Sequence, residues 1–286
     1  MTTTGPTSDQ PTGPTQSTKP TTAELTDAER ISASLALLWG TQERTARGPK
    51  RGLTLDQIVS TALTIADTDG LDALSMRRVA RELRVGTMTL YRYLPGKAVL
   101  LDLMLDAVSD PAKDIAQCQG KDWRGVLEVV AHSSRRRYLA HPWLLQVNWS
   151  RPVVGPNTLA GLEFVVSTLA GLGLTDQERF SVMISIDGLV VGVTRAQLHH
   201  EAAVAASGVT DAEFWNRHLP VLSKAMLSGE YPAMAALSED AYGLGWDETF
   251  EWGLQRVLDG IQALIESRRQ PADQPPEPAS QPPRPA

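Results

Sequence analysis

The segment from Ser75 to Lys97 carries side chains suited to binding DNA rather than to catalysis. Its second half combines hydroxyl, aromatic and basic side chains with one flexible apolar side chain: Thr87, Met88, Thr89, Tyr91, Arg92 and Tyr93. Arginine and hydroxyl groups hydrogen-bond phosphates and base edges, and the major groove of B-DNA is wide enough to admit one α-helix. These residue types therefore predict a helix that lies in the major groove.

Two short helices around a tight turn are predicted to position these side chains. The first helix has Ser75 as its N-cap and an apolar stripe at helical spacing: Met76, Val79, Ala80 and Leu83. The chain is expected to reverse at Val85-Gly86, because glycine adopts backbone conformations that other residues avoid. In the second helix, Leu90 and Leu94 lie four residues apart and are predicted to face inward.

A third, upstream helix is predicted to complete a small core. Thr54 and Gln57 have the spacing of a capping box, and Asp69-Gly70 ends the pattern. Between them the apolar residues fall on one helical face: Leu55, Ile58, Val59, Ala62, Ile65 and Ala66. The order of these elements predicts a three-helix domain that contains a helix-turn-helix.

The charge distribution separates this domain from the rest of the chain. Residues 40–97 contain ten basic and six acidic side chains, a net charge of +4, whereas the whole chain carries −6 and the remainder therefore −10. A basic head on an acidic body suits DNA binding, because neutralising phosphates supplies much of the affinity. The alternative is that the arginines of the first helix only form a solvated face: Arg77, Arg78, Arg81 and Arg84.

With these motifs in place, residues 51–108 resemble the N-terminal domain of TetR-family transcriptional regulators. The shared order is the first helix, Asp-Gly-Leu-x-x-Leu, Arg-x-Val-Ala-x-x-Leu, Leu-Tyr-x-Tyr-Leu and Gly-Lys. The resemblance implies that Tyr91, Arg92 and Tyr93 contact the DNA backbone or bases, that Lys97 meets a phosphate and that Arg77 reaches a base. It also implies that three residues line the base edges: Thr87, Met88 and Thr89.

One position departs from the family pattern. The turn usually reads Leu-Gly-Val, but here it reads Leu83-Arg84-Val85. A non-glycine residue there costs about 1 kcal/mol if its φ is positive. Arg84 would in return gain a route to a phosphate.

Composition predicts five segments. Residues 1–24 and 269–286 are rich in Pro, Thr, Ser or Gln and are expected to be disordered tails. Residues 25–50 contain an extra helix and a basic linker, followed by the helix-turn-helix domain at 51–97 and a larger helical domain at 98–268. The basic residues Arg47, Lys50 and Arg51 fit an arm that contacts DNA, or equally a linker that aids solubility.

The larger domain is predicted to be helical throughout, which makes the fold all-α. Four helices are expected: Trp123–Leu139, Thr158–Leu172, Asp176–His199 and Trp246–Arg268. The last two are apolar on more than one face, which favours a homodimer formed through a four-helix bundle. This part resembles the tetracycline-repressor-type C-terminal domain of the family, which implies a pocket for a small molecule. Candidate ligand contacts are Trp143, Asn148, Trp149 and Asp187. The alternative, which is the commoner case for these residue types, is that the tryptophans are core residues and that the polar side chains are hydrogen-bonded within the structure.

Catalytic and metal-binding motifs do not account for the chain. It has no GxSxG, GxxxxGKS, GxGxxG or HExxH, and His199 and His200 are adjacent rather than four apart, so they cannot chelate together. The single cysteine, Cys118, excludes a disulfide framework, and no signal peptide or long uncharged apolar run occurs. We therefore expect a cytoplasmic, non-enzymatic protein with no cofactor and no bound metal.

The sequence thus predicts a homodimeric repressor that binds a pseudo-palindromic operator in double-stranded DNA and is released by a small-molecule effector. The alternative is a co-regulatory or scaffold protein whose helix-turn-helix binds a protein partner and which senses no effector.

Overall fold

The computed structural model describes residues 26–40, 52–148, 152–238, 241 and 243–269. The predicted N-terminal tail, the basic linker with Arg47, Lys50 and Arg51, residue Trp149 and the C-terminal tail beyond 269 lie outside these ranges. Within them the regular structure is entirely helical, so the predicted all-α class is confirmed. The helices are α1 Asp27–Leu38, α2 Leu55–Asp69, α3 Met76–Glu82, α4 Thr87–Leu90, α5 Lys97–Ala107, α6 Ala112–Gln117, α7 Trp123–Ala140, α8 Pro156–Thr168, α9 Asp176–Ser207, α10 Asp211–Met226, α11 Pro232–Ala235 and α12 Trp246–Arg269.

The head of the molecule is formed by α2, α3 and α4, with α5 packed beneath them. Thr54 and Gln57 form the predicted capping box, with the Gln57 amide donating to Thr54 Oγ1 at 3.2 Å and the Thr54 amide donating to Gln57 Oε1 at 3.0 Å. The apolar face of α2 is buried as predicted, and Gly70 ends the helix with a φ of 83°. The buried cluster of the head continues without a break into that of the body.

Helix α5 leads from the head into the body and carries two buried carboxylates, Asp102 and Asp106. Asp102 binds α1: it accepts hydrogen bonds from Arg30 at 2.6 and 2.7 Å and from the Ser34 hydroxyl at 2.6 Å. A buried carboxylate is tolerated only when donors replace its lost hydration. The extra N-terminal helix is therefore an integral part of the fold, because it satisfies a charge on the helix that follows the head.

Asp106, the second buried carboxylate of α5, binds the start of α8. Its Oδ1 accepts from the Thr158 amide and hydroxyl, both at 2.9 Å, and its Oδ2 accepts from the Asn157 amide at 3.3 Å. The unpaired amides and the positive end of the helix dipole favour a carboxylate at this position. A Cβ on Gly155 would lie 2.3 Å from Asp106 Cγ, so this approach requires glycine.

The body is built around α7, α9 and α12, which pack against one another, while α8 closes one side. Helix α9 is 32 residues long, eight residues longer than predicted, and buries only Val182, Ile186, Val190 and Thr194 within one chain. It is the one helix in the described ranges that could span a membrane by length and composition. Ile184 is 70% exposed, so α9 presents an apolar surface that a single chain leaves uncovered.

Sequence patterns identified the remaining helices unevenly. Helix α7 and helix α12 lie within two residues of their predicted bounds, whereas α8 ends at Thr168, four residues earlier than expected. Helix α10 was not predicted as an element, although Thr210 and Glu213 form a capping box at its start. Cys118 is buried at the end of α6.

Replacing Asp102 should destabilise the protein strongly. Asp102→Ala leaves the half-buried Arg30 guanidinium without its main partner, and breaking such a pair costs about 3 kcal/mol. Asp27→Ala is the matched control, because Asp27 faces the same arginine at 3.8 Å but is 96% exposed; it should cost less than about 1 kcal/mol. Urea unfolding measures both, and equal losses would contradict the structural role given to Asp102.

Candidate DNA interface and effector cavity

The turn of the helix-turn-helix is a left-handed helix cap centred on Arg84. The Arg84 amide donates to the Arg81 carbonyl at 3.1 Å and the Val85 amide donates to the Ala80 carbonyl at 3.0 Å, the pairing of a Schellman motif. Arg84 has a φ of 56° and is the only non-glycine residue of the described ranges with a positive φ. The expected reversal at Gly86 is therefore wrong: its φ is −71°, and it is the N-cap of α4.

Helix α4 is shorter than the predicted second helix: it ends at Leu90, and the candidates Tyr91, Arg92 and Tyr93 lie in the turn that follows it. Leu90 and Leu94 are buried as predicted, at 0% and 2% exposure. Met88 is 76% exposed and Arg92 is exposed, whereas four other candidates are half-buried: Thr87, Thr89, Tyr91 and Tyr93. The two tyrosine rings pack against the core. Packing limits the freedom of the rings, so they can present their hydroxyls at fixed positions.

The arginines of α3 differ in their partners. Arg78 donates to Glu82 at 2.8 Å and pairs with Asp69 at 2.8 Å, so it holds α3 to the end of α2. Arg77 is exposed and forms no ion pair within the described ranges, and the same holds for Arg84. Arg78 is therefore not merely part of a solvated face, because its guanidinium forms ion pairs within the head. Arg77 and Arg84 are free to reach a ligand outside the head.

Lys97 begins α5 at the edge of the same surface. Its Nζ donates to the Leu71 carbonyl at 3.3 Å and its side chain is exposed. The bond joins the start of α5 to the turn that follows α2, and it leaves two of the three ammonium donors for other acceptors. Arg77, Arg92 and Lys97 thus supply exposed cations on three successive elements of the head.

A cavity of about 460 Å³ lies in the body between α7, α8 and α9. Most of its wall is apolar or aromatic, with Phe164, Phe180, Met183 and Val190 among the lining residues. A mostly apolar cavity with few polar groups is typical of a small-molecule site. In the described part of the chain, no three His, Cys, Asp or Glu side chains come together as metal ligands would.

The polar groups of the cavity centre on Tyr138 and Asp187. The Tyr138 hydroxyl donates to Asp187 Oδ1 at 3.2 Å. Burial raises the pKa of the Tyr138 phenol, and the neighbouring Asp187 carboxylate raises it further. Desolvation also raises the pKa of Asp187, against the opposing effects of the Tyr138 hydrogen bond and the Arg137 charge. Arg137 itself donates to the Ser134 hydroxyl at 3.0 Å and the Val108 carbonyl at 3.4 Å.

Of the three predicted ligand contacts that the structure describes, only Asp187 lines this cavity; Trp149 lies outside the described residues. Trp143 is 1% exposed, and Asn148 is not among the lining residues. Sequence reasoning missed Tyr138, although it lies on one helical face with Leu127, Ala131 and Ser134. That spacing was visible in the sequence and could have identified it.

A second group of polar contacts joins the body to the head. Asp67, near the end of α2, accepts a hydrogen bond from the Trp143 indole at 2.7 Å and lies 2.7 Å from His141 Nδ1. Both partners belong to the turn between α7 and α8, and Leu144 of the same turn lines the cavity. The wall of the cavity and the first helix of the head are therefore separated by one short turn.

Both the N-terminal and the C-terminal part of the chain match models of one protein family. Residues 58–104 match the family described as bacterial regulatory proteins, tetR family, and residues 118–265 match the tetracyclin repressor-like C-terminal domain. The chain is 50% identical over 246 residues to the HTH-type transcriptional repressor DrrR1 of Streptomyces coeruleorubidus, covering 86% of this chain and 91% of that protein. An HTH-type transcriptional regulator of Saccharopolyspora erythraea is 31% identical, with 79% and 91% covered.

Solved structures give the same result. Apo ActR from Streptomyces coelicolor is 30% identical with a TM-score of 0.60, covering 78% of this chain and 99% of that one. ActR in complex with actinorhodin has the same identity and TM-score, with 75% and 99% covered.

Replacing Arg84 by glycine should stabilise the head. Glycine adopts a positive φ without the steric cost of a Cβ, so Arg84→Gly should raise the free energy of unfolding by about 1 kcal/mol. Arg84→Ala is the matched control, because it removes the same guanidinium but keeps the Cβ. Chemical denaturation should show the gain for glycine alone; equal stability of the two variants would show that the turn carries no backbone strain.

Proposed function

Because this chain belongs to the TetR family of transcriptional regulators, we propose that it is a homodimeric repressor whose operator is released when a small molecule occupies the cavity between α7, α8 and α9. It is a DNA-binding regulator and not an enzyme. The proposal rests on two sets of hydrogen bonds that connect the head to the cavity wall. Asp67 of α2 accepts from Trp143 in the turn between α7 and α8, and Asp106 of α5 accepts from Thr158 of α8. The cytoplasm, where the DNA is, is its proposed location.

In this proposal α4 lies in the major groove. Tyr91, Arg92 and Tyr93 contact the DNA backbone or bases, and Lys97 and Arg77 extend the interface to either side. Three residues lie along the base edges: Thr87, Met88 and Thr89. The exposure of Met88 and Arg92 supports this assignment, as does the packing that fixes the two tyrosine rings.

The dimer is proposed to form through α9 and α12. Regulators of this family act as dimers, and α9 buries only four of its 32 residues within one chain, with Ile184 70% exposed. Trp252 of α12 is 62% exposed as well. Two helices from each chain would cover these residues in a four-helix bundle and place the two heads in successive major grooves.

The effector is proposed to be an aromatic small molecule. ActR has been solved with actinorhodin and with (S)-DNPA. The aromatic and apolar wall of the present cavity supports an effector with apolar rings. A ligand that binds one dimer shape better than the other shifts the equilibrium by that difference in affinity alone.

The co-regulatory alternative is not favoured, because relatives over most of the chain are named transcriptional repressors. A protein that binds only a protein partner would show no salt-dependent affinity for operator DNA. Electrostatic contacts to phosphates instead make the logarithm of the affinity fall linearly with the logarithm of the salt concentration.

Removing Arg92 should weaken DNA binding. Arg92→Ala deletes an exposed donor in the turn that follows α4 and should lower operator affinity about 10- to 100-fold, the usual range for a base-contacting arginine. Tyr91→Ala should give a loss in the same direction. Arg217→Ala on α10 is the control, because it removes an exposed arginine far along the chain from the head. Fluorescence anisotropy with DNA from beside the gene measures all three, and near wild-type binding by both Arg92→Ala and Tyr91→Ala would refute the assignment of α4 and the turn that follows it.

Removing Asp67 should uncouple the cavity from the head. Asp67→Ala deletes the acceptor shared by His141 and Trp143, so we expect operator affinity to change little while at least tenfold more effector is needed for release. Asp56→Ala, an exposed carboxylate on the same helix, is the matched control. Calorimetric titration checks that both variants still bind the effector, and release at the wild-type effector concentration by Asp67→Ala would contradict this route of coupling.

A further inference from the structure

The cavity wall carries more acidic than basic side chains. Three of the lining residues carry formal charges, the carboxylates Asp114 and Asp187 and the guanidinium Arg137, which leaves a net charge of −1. Asp114 accepts a hydrogen bond from the Ser133 hydroxyl at 2.6 Å. Arg137 directs its donors to Ser134 and Val108. The wall therefore offers more negative than positive charge to a bound molecule.

The Asp187 carboxylate keeps open acceptor sites. Within the described ranges its hydrogen bond comes from the Tyr138 hydroxyl, a neutral donor at 3.2 Å, and no ion pair forms to it. An ionised carboxylate has about four acceptor sites, and a neutral hydroxyl fills one of them. The side chain remains accessible from the cavity. Its open acceptor sites are therefore available to a donor on a ligand.

The surroundings favour a charged donor over a neutral one. Desolvation raises the pKa of Asp187, so the ionised form lacks full compensation in the free protein. Arg137 lowers the pKa of Asp187 only against this desolvation, and a cation placed beside the carboxylate adds further opposite charge. The interaction is stronger in a partly desolvated site than in water. The aromatic rings of Tyr138, Phe164 and Phe180 line the same cavity and suit both an aromatic ligand and a nearby cation.

We propose that the effector is an aromatic molecule bearing a protonated nitrogen, with that nitrogen placed against the carboxylate of Asp187. This inference rests on the proposed function, since it assigns the chemical class of the effector that the same cavity binds. Phe164 and Phe180 contribute apolar contacts to the ring system, and the Tyr138 hydroxyl holds Asp187 in position. Asp187 therefore determines the charge specificity of the cavity.

The test compares two ligands of the same shape with different charge. 9-Aminoacridine is protonated near neutral pH, whereas 9-acridanone has the same three rings and no charge. Calorimetric titration of the full-length dimer without DNA should show 9-aminoacridine binding at least tenfold more tightly. Asp187→Asn should reduce its affinity about tenfold and leave 9-acridanone within twofold. Asp114→Asn, which removes the other carboxylate of the wall, should leave the preference intact.

Several results would overturn the assignment: equal affinity for the two ligands, binding of 9-aminoacridine too weak to measure at millimolar concentration, or wild-type preference in Asp187→Asn. Tighter binding of anthracene-9-carboxylate would point to Arg137 as the charged contact and would also overturn it. Thermal melting checks that the variants are folded. Operator binding and its release by any cavity ligand are measured on the same preparations, so release by a neutral compound would remove the charge assignment while leaving the repressor function standing.

Discussion

The carboxylate of Asp106 at the N-terminus of α8 is the contact on which the arrangement of head and cavity depends. It lies on α5, the helix that follows the DNA-reading segment, and it binds the first amides of a helix that forms the cavity wall. Gly155 and the proline at 156 provide no side-chain cap for α8, so the cap comes from another element. The close approach at Gly155 leaves no room for α5 to shift without moving α8.

Two further carboxylates hold the head in the same way. Asp102 ties α5 to α1, and Asp67 ties α2 to the turn between α7 and α8. Each carboxylate loses a charge-assisted or buried hydrogen bond if the two helices that it connects separate. These contacts therefore favour a few discrete arrangements of head and body over a continuous range of positions. A ligand that changes the spacing of α7, α8 and α9 must therefore either move the head with them or break one of these bonds. This requirement is the physical basis of release in the proposed function.

Features that depend on neighbouring residues could be predicted from the sequence, whereas contacts between residues far apart in the chain could not. Local patterns were sufficient for α2, whose capping box and apolar face are both encoded within 15 residues, and for the inward Leu90 and Leu94. The family pattern has glycine where this chain has Arg84, and Arg84 has the positive φ that such a position requires. The reversal predicted at Gly86 lies two residues earlier, at Arg84. The partners of Asp102 and Asp106 could not be predicted, because they lie 72 and 52 residues away in sequence at most and bring together elements whose relative placement no local pattern specifies. The clustering of tryptophans predicts Trp143 as a ligand contact, with a core role as the alternative; in the structure it is buried and its indole donates to Asp67, a partner 76 residues away that no local pattern indicates.

In the proposed function, occupation of the cavity changes the separation of the two heads of the dimer. Spin labels at Thr64→Cys on α2, in a Cys118→Ser background, allow the distance between the heads of the dimer to be measured by pulsed electron resonance. We expect one distance distribution in the free and operator-bound dimer, compatible with recognition helices about 34–36 Å apart, and a shifted distribution once a ligand that calorimetric titration shows to bind the protein is added. An unchanged distribution at saturating ligand would contradict it.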